Sequence, residues 1–259
     1  MKIVTWNICS TLSGAEEKGL LNIENKEEKI ISRVLQEDPD IIVFTEFSIR
    51  KYCAQNEDGK DYGSGVYGRK IISDLKEYDS RYSCDNNSFC SVLISVKRDK
   101  FDVSKTSKYK PDKLKNRFLT VDIKEKDTDN VLLKILGIYA PSEDEDTFFT
   151  PVYDFAKNEE NAVIIGDFNV FTEKVEKYDI KDKTIINPLN ELYKLKWSEA
   201  GNTWDNTKEG KVFCTSKLDY AFLSPSLRKR LNSTTIFHDV RKGEDKLSDH
   251  SMLVIDIDD

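Results

Sequence analysis

Gly166, Asp167, Phe168 and Asn169 follow directly on the apolar run at 162–165. Residues two apart in an extended segment point to the same face, so Asp167 and Asn169 leave the end of a buried strand side by side. A carboxylate beside a carboxamide is a good geometry for gripping one small polar object, such as a metal-bound water. The same tetrapeptide also suits an Asx turn that only satisfies backbone N–H groups.

The pattern recurs along the chain. Asn7 stands near the end of a β-branched first segment, and Glu46 just beyond the apolar run 41–44. Tyr139 ends the apolar segment 131–139, Asp219 lies in the alternating segment 217–223, and Asp249 and His250 precede the last apolar segment, 252–257. A core does not require polar groups at so many strand ends, whereas strands converging on one polar site do. Three aspartates, one glutamate and two amides are hard oxygen donors, matched to Mg²⁺ or Mn²⁺ rather than zinc. With His238 and His250 as the only histidines and no CxxC pair among five cysteines, a zinc site is not expected. His250 and Tyr139 supply groups for proton or charge work.

The elements that must position these residues follow from periodicity. Apolar residues at helical spacing predict helices at 27–37, 68–78, 148–157 and 185–199. Strands are predicted at 2–8, 41–44, 82–84, 90–96, 118–123, 131–139, 162–165, 217–223, 234–237 and 252–257. Helices are few, strands many and several connections hairpin-like, with no Gly- or Pro-rich linker and no repeat. One α+β domain spanning 1–259 is expected, with two packed mixed β-sheets flanked by helices.

Composition sets outer bounds. The 259 residues, 38% hydrophobic and 34% charged, suit a soluble globular chain long enough for a core without staples. No segment reads as a signal peptide or approaches the ~20 apolar residues of a membrane span. Reduced cysteines, a cytoplasmic location and a monomer are the expectation. A net charge of −7 does not favour nucleic acid. Residues 97–117, however, hold nine Lys or Arg against three Asp, which suits either a solvated hairpin or a basic flank facing an anionic substrate.

Thr5-Trp6-Asn7, Pro39-Asp40-Ile41 through Glu46, Ile138-Tyr139-Ala140-Pro141, Gly166-Asp167-Phe168-Asn169, Leu218-Asp219-Tyr220 and Ser248-Asp249-His250 occur in one order. That ordered set resembles the endonuclease/exonuclease/phosphatase superfamily over essentially the whole chain. The resemblance implies a four-layered α/β sandwich and phosphoryl transfer governed by positioning and charge neutralisation. It further implies that Glu46 is the principal Mg²⁺ (or Mn²⁺) ligand, with Asn7 in the same shell and Asp249 near the metal or supporting its neighbours. Asp167 would orient or deprotonate the attacking water, Asn169 hold that water or the phosphate, His250 donate to a phosphate oxygen, and Asp219 brace His250.

Tyr139, together with Arg117 leading the strand 118–123, resembles the exonuclease III and apurinic endonuclease branch. Trp204 stands where relatives insert aromatics toward substrate, although a lone loop tryptophan also serves as a lid on local core. The chain departs from the repair enzymes in places. Cys9-Ser10 stands where they typically carry Asn-x-Asn/Asp-Gly, Thr45 replaces Gln, Lys217 replaces Arg, and the acidic run 142–146 follows Pro141. The expectation is a Mg²⁺-dependent phosphodiesterase acting as a DNA nuclease. The alternatives are a metal-dependent phosphoesterase on a small or lipid-linked phosphate, and a non-catalytic binding module.

Overall fold

The computed structural model describes residues 1–9, 25–48, 54–55, 61–62, 68–83, 91–109, 111, 114–141, 145–170, 189–203, 217–241 and 246–258. In chain order its strands are β1 (Lys2–Asn7), β2 (Ile41–Phe47), β3 (Ala54–Gln55), β4 (Asp61–Tyr62), β5 (Tyr78–Tyr82), β6 (Ser91–Lys97) and β7 (Phe101–Thr106). They continue with β8 (Phe118–Glu125), β9 (Val131–Tyr139), β10 (Ala162–Asp167), β11 (Ser198–Asn202), β12 (Asp219–Leu223), β13 (Leu231–Phe237) and β14 (Met252–Ile257). The helices are α1 (Lys26–Leu35), α2 (Gly68–Asp74), α3 (Glu145–Asn158) and α4 (Leu189–Lys194).

Two six-stranded sheets form, in the orders β13-β14-β1-β2-β6-β5 and β11-β12-β10-β9-β8-β7, beside the small pair β3-β4. Each large sheet has one parallel pair at its centre, β1 with β2 and β10 with β9, and antiparallel pairs elsewhere. Parallel neighbours end at the same edge, and an antiparallel neighbour begins there. Asn7 and Glu46 therefore reach one edge of the first sheet. In the second sheet Tyr139, Asp167 and Asp219 come level, with Asp167 opposite both others.

The central strands are apolar on both faces, and alternation sorts their side chains into two cores. Ile3, Ile41, Val43, Val92, Ile94, Ile135, Val163, Ile165, Leu253 and Ile255 meet between the sheets. The alternate residues Val4, Trp6, Ile42, Phe44 and Leu93 pack outward against Ile30, Ile31 and Val34 of α1 and Ile71 of α2. On the other side, Leu136, Ile138, Ile164, Tyr220 and Phe222 pack against Phe148, Phe149, Val152 and Phe155 of α3 and Leu192 of α4. The result is the expected four layers: helices, sheet, sheet, helices. Full burial of each such side chain stabilises by roughly 1.5–3 kcal/mol. Among the described residues no helix is long and apolar enough to cross a membrane.

Several predicted elements needed correction. The helix expected at 185–199 is described only as α4, which stops at Lys194. Lys196 adopts a left-handed φ of 64°, Trp197 turns into the outer core and donates to the Ala156 carbonyl at 3.0 Å, and β11 follows. Apolar spacing alone did not reveal that break. The helix expected at 68–78 ends at Asp74, because Tyr78 starts β5 and its buried hydroxyl donates to the Pro39 carbonyl. The basic run 97–117 contains β7, paired with β8. Part of its charge is met by acids: Lys97 by Asp38, Lys100 by Asp40 and Lys108 by Glu159. Those three behave as the solvated-hairpin alternative expects, whereas Arg117 lies over Tyr139. Trp204 and Cys53, Cys84, Cys90 and Cys214 lie outside the described residues.

Candidate active site

The segment that follows β10 is set by backbone geometry. Gly166 has φ of 133°, and a Cβ there would stand 2.2 Å from the Ile138 carbonyl oxygen, so no larger residue fits. Beyond it Asn169 takes φ of 49°, and Glu46 and Cys9 take 51° and 47°. Left-handed backbone at non-glycine residues costs roughly 1–3 kcal/mol each and gathers where side chains are aimed for function. Glu46 sits in the irregular stretch between Phe44 and Phe47 where the β2–β6 register shifts. Such a bulge re-aims a side chain that regular alternation would send elsewhere.

Asp167 is 1% exposed, and each of its oxygens accepts one hydrogen bond. The side-chain amide of Asn7 donates to Oδ2 at 2.8 Å, and the backbone N–H of Asn169 donates to Oδ1 at 2.9 Å. The first of these joins the two sheets. The side-chain amide of Asn169 donates to the Ala140 carbonyl at 2.7 Å, and Arg117 reaches the same carbonyl at 3.4 Å. The Arg117 guanidinium also lies over the Tyr139 ring, 4.6 Å from its centre. The Tyr139 hydroxyl in turn donates to Glu46 Oε1 at 2.6 Å.

His250 Nδ1 stands 2.8 Å from Asp219 Oδ2. A carboxylate can only accept, so Nδ1 carries the proton. Thr203 Oγ1 donates to that same oxygen at 2.8 Å. The His250 backbone is fixed as well. Its N–H donates to Ser248 Oγ at 3.1 Å, its carbonyl accepts from the Trp6 indole at 3.1 Å, and Ser248 Oγ donates to the Asn7 carbonyl at 2.6 Å. His250 Nε2 lies 3.9 Å from Asp249 Oδ2.

Charge follows from this crowding. Burial, and next the charge of Asp219, push the Asp167 carboxyl up to about 7, against the opposing pull of His250 and the bonds from Asn7 and Asn169. Burial alone would lower His250. The charge and hydrogen bond of Asp219, joined by Asp167 and Asp249, reverse that and hold the imidazole at about 10. The arrangement thus favours the protonated imidazole and disfavours charge on the Asp167 carboxyl.

The structure brings together Asn7, Glu46, Tyr139, Asp167, Asn169, Asp219, Asp249 and His250, with Arg117 at the rim. Among the described residues, donor atoms of Asp167, Asp219 and His250 fall within 4.8 Å of one another. Within that group Nδ1 of His250 is already engaged by Asp219. Glu46, Asp249 and the Asn7 carboxamide offer two carboxylates and an amide oxygen, donor types that suit a hard divalent cation. Two participants lacked a role in the sequence. Thr203 comes from the end of an unexpected strand, and Ser248 was visible only as a motif neighbour.

Comparison with known proteins bears on this arrangement. Residues 4–250 match the model of the Endonuclease/Exonuclease/phosphatase family. No curated protein matches the sequence. The 3'-5' exonuclease NExo from Neisseria meningitidis is similar in structure, with a TM-score of 0.64, 17% identity and 100% of both chains covered. An AP endonuclease from Archaeoglobus fulgidus has a TM-score of 0.63 and 17% identity, again over 100% of both chains. D. rerio TDP2 complexed with a single-strand DNA product has a TM-score of 0.60 and 14% identity, covering 98% of this chain and 97% of the other. At these identities the likeness shows the fold.

Proposed function

Since the chain belongs to the Endonuclease/Exonuclease/phosphatase family, we propose that it hydrolyses DNA phosphodiester bonds with the help of a bound Mg²⁺, or Mn²⁺ in its place. The observation that carries this reading is the buried proton-handling cluster, in which Asp167 and His250 face one another with opposite charge preferences. Asp167, clamped by Asn7 and Asn169, takes a proton from the attacking water. Its carboxyl lies near neutrality, where a general base works best. His250, charged and held by Asp219, donates from Nε2 to a phosphate oxygen as negative charge builds. Asn169 keeps one amide hydrogen for substrate, because an amide nitrogen carries two. Arg117, stacked on Tyr139, supplies a fixed guanidinium for a second phosphate oxygen. Glu46, Asn7 and Asp249 would hold the cation, which when bound supplies Lewis-acid polarisation of the phosphate.

DNA is favoured as substrate by the structural likeness to NExo, the A. fulgidus AP endonuclease and TDP2, whose names or bound product refer to nucleic-acid chemistry. A second reading, a phosphoesterase on a small or lipid-linked phosphate, is favoured by one specific observation. Three of the run's nine basic residues are engaged by Asp38, Asp40 and Glu159, which weakens the run as a surface for a nucleic-acid backbone. The test is incubation with Mg²⁺ and either plasmid, abasic duplex or bis-nitrophenyl phosphate. Nicking of either DNA is expected. Turnover of the small diester with both DNAs intact would overturn the nuclease reading in favour of the second.

A further inference from the structure

Lys26 opens α1, yet its side chain does not turn to solvent. It is 5% exposed, and its ammonium donates to the Cys9 carbonyl at 3.2 Å. Lysine is seldom buried, because taking an ammonium out of water is costly. Cys9 is the residue on which the chain turns after β1. It is fully buried and takes a left-handed φ of 47°, a conformation that a non-glycine residue keeps only where its surroundings hold it. The Cys9 N–H donates to Asn7 Oδ1 at 2.9 Å, so the turn holds the Asn7 carboxamide by its oxygen. The amide nitrogen is left facing the other sheet, where it donates to Asp167 Oδ2 at 2.8 Å. A carboxamide rotated by half a turn would present its oxygen to that carboxylate, and two acceptors cannot bond. Three hydrogen bonds thus run in one line from α1 to Asp167, through Cys9 and Asn7.

We infer that Lys26 is a positioning residue for phosphodiester hydrolysis: it braces the turn at Cys9, and through that turn fixes which way the Asn7 carboxamide faces Asp167. The inference rests on the function proposed above, in which Asp167 takes a proton from the attacking water. Lys26 itself touches neither the substrate nor the reacting atoms. Without its bond to the Cys9 carbonyl the left-handed turn is free to relax, and Asn7 then samples orientations that do not donate to Asp167. A lysine at a helix start that gives up water for one backbone carbonyl breaks the local rule for its residue type, and such departures gather where a site has to be held.

The test compares the wild type with Lys26→Met, Lys26→Leu and Lys26→Gln in two measurements on the full chain. One is steady-state hydrolysis, at saturating Mg²⁺, of whichever of plasmid, abasic duplex or bis-nitrophenyl phosphate the wild type cleaves. The other is the ¹H–¹⁵N cross-peaks of the Asn7 side-chain amide, identified by their loss in Asn7→Ala. In the two apolar variants kcat is expected to fall roughly threefold to tenfold, as for the loss of one buried hydrogen bond, with KM unchanged and the Asn7 cross-peaks moved. The melting temperature is expected to hold, since an apolar side chain there removes a buried charge. Lys26→Gln keeps an N–H donor for the Cys9 carbonyl and is expected to recover part of the rate. Lys26→Leu carries the test if Lys26→Met does not fold. Unmoved Asn7 cross-peaks in the apolar variants, or a wild-type kcat, would overturn the positioning role and leave the proposed function standing. Moved cross-peaks in a chain that cleaves none of the three substrates would overturn the proposed function instead.

Discussion

The two halves of the site are built differently. The half carried mostly by the second sheet, Asp167, Asn169 and Asp219, closes on itself and on His250 through short hydrogen bonds. Asp167 is clamped at both oxygens and His250 is held by Asp219, Ser248 and Trp6. The half carried mostly by the first sheet holds Glu46, which accepts from the Tyr139 hydroxyl at 2.6 Å, and Asp249, whose Oδ2 lies 3.9 Å from His250 Nε2. On the function proposed above, the Asp167–His250 half handles protons and the Glu46–Asp249 half would hold the cation. Preorganisation suits groups whose protonation must be right at the moment of reaction. A pair of carboxylates suits a hard divalent cation.

Experiments can break this contrast at either half. The largest loss is expected from Asp167→Ala or His250→Ala. Each should lower kcat by about 10³-fold or more on any phosphodiester the protein cleaves, with the circular dichroism spectrum unchanged. Near wild-type turnover in either variant would show that the proton half lies elsewhere. Next comes the cation half: chelation with EDTA should stop turnover and added Mg²⁺ restore it. Glu46→Gln should need far more Mg²⁺ for the same rate, and a rate independent of metal would erase the distinction between the halves.

A smaller effect separates the halves by pH in EDTA-treated protein. His250 is raised from 6.5 to about 10. A raised folded-state value means that the folded protein binds the proton more tightly than the unfolded one. The stability it contributes is fully present below pH 6.5 and is lost as pH rises through about 10. Above about pH 8, one unit beyond the Asp167 value of about 7, where that carboxyl is largely ionised, the wild-type melting temperature should fall toward pH 10. The Asp219→Asn variant, lacking the charge that raises His250, should show a flatter profile. Parallel profiles would remove Asp219 as the cause. The smallest effect is expected from Thr203→Val, which deletes one donor to Asp219 Oδ2. A fall in kcat of roughly threefold to tenfold is anticipated from the loss of one buried hydrogen bond, with KM little changed. A change confined to KM would place Thr203 against the substrate instead.

Much of the fold could be read from the chain because its signals are local. Alternation and continuous apolar runs marked β1, β2, β9, β10 and β14, since period two is a property of any extended backbone. The helix 27–37 was equally plain from Ile30, Ile31 and Val34. Where a segment's structure depends on a distant partner, local pattern failed. Ser198–Asn202 has an unremarkable composition and is a strand because β12 pairs with it. Tyr78 looked like a helix end and is instead fixed by the Pro39 carbonyl, 39 residues away.

The site divides along the same line. That polar residues occur at the ends of strands is written in the sequence, and Gly166 is needed before Asp167 because the Ile138 carbonyl leaves no room for a Cβ. Which of those residues touch is decided only when two sheets pack face to face. Asn7 reaches Asp167 across 160 positions of chain, Tyr139 reaches Glu46 across 93, and His250 reaches Asp219 across 31. Burial and neighbouring charge then set their protonation: burial is the main cause that raises Asp167, and the charge and hydrogen bond of Asp219 raise His250 against the effect of burial. Lys26 illustrates the limit most clearly. Its sequence context is that of a solvent-facing helix start, and only the approach of α1 to the segment after β1 buries it, with its ammonium donating to the Cys9 carbonyl at 3.2 Å.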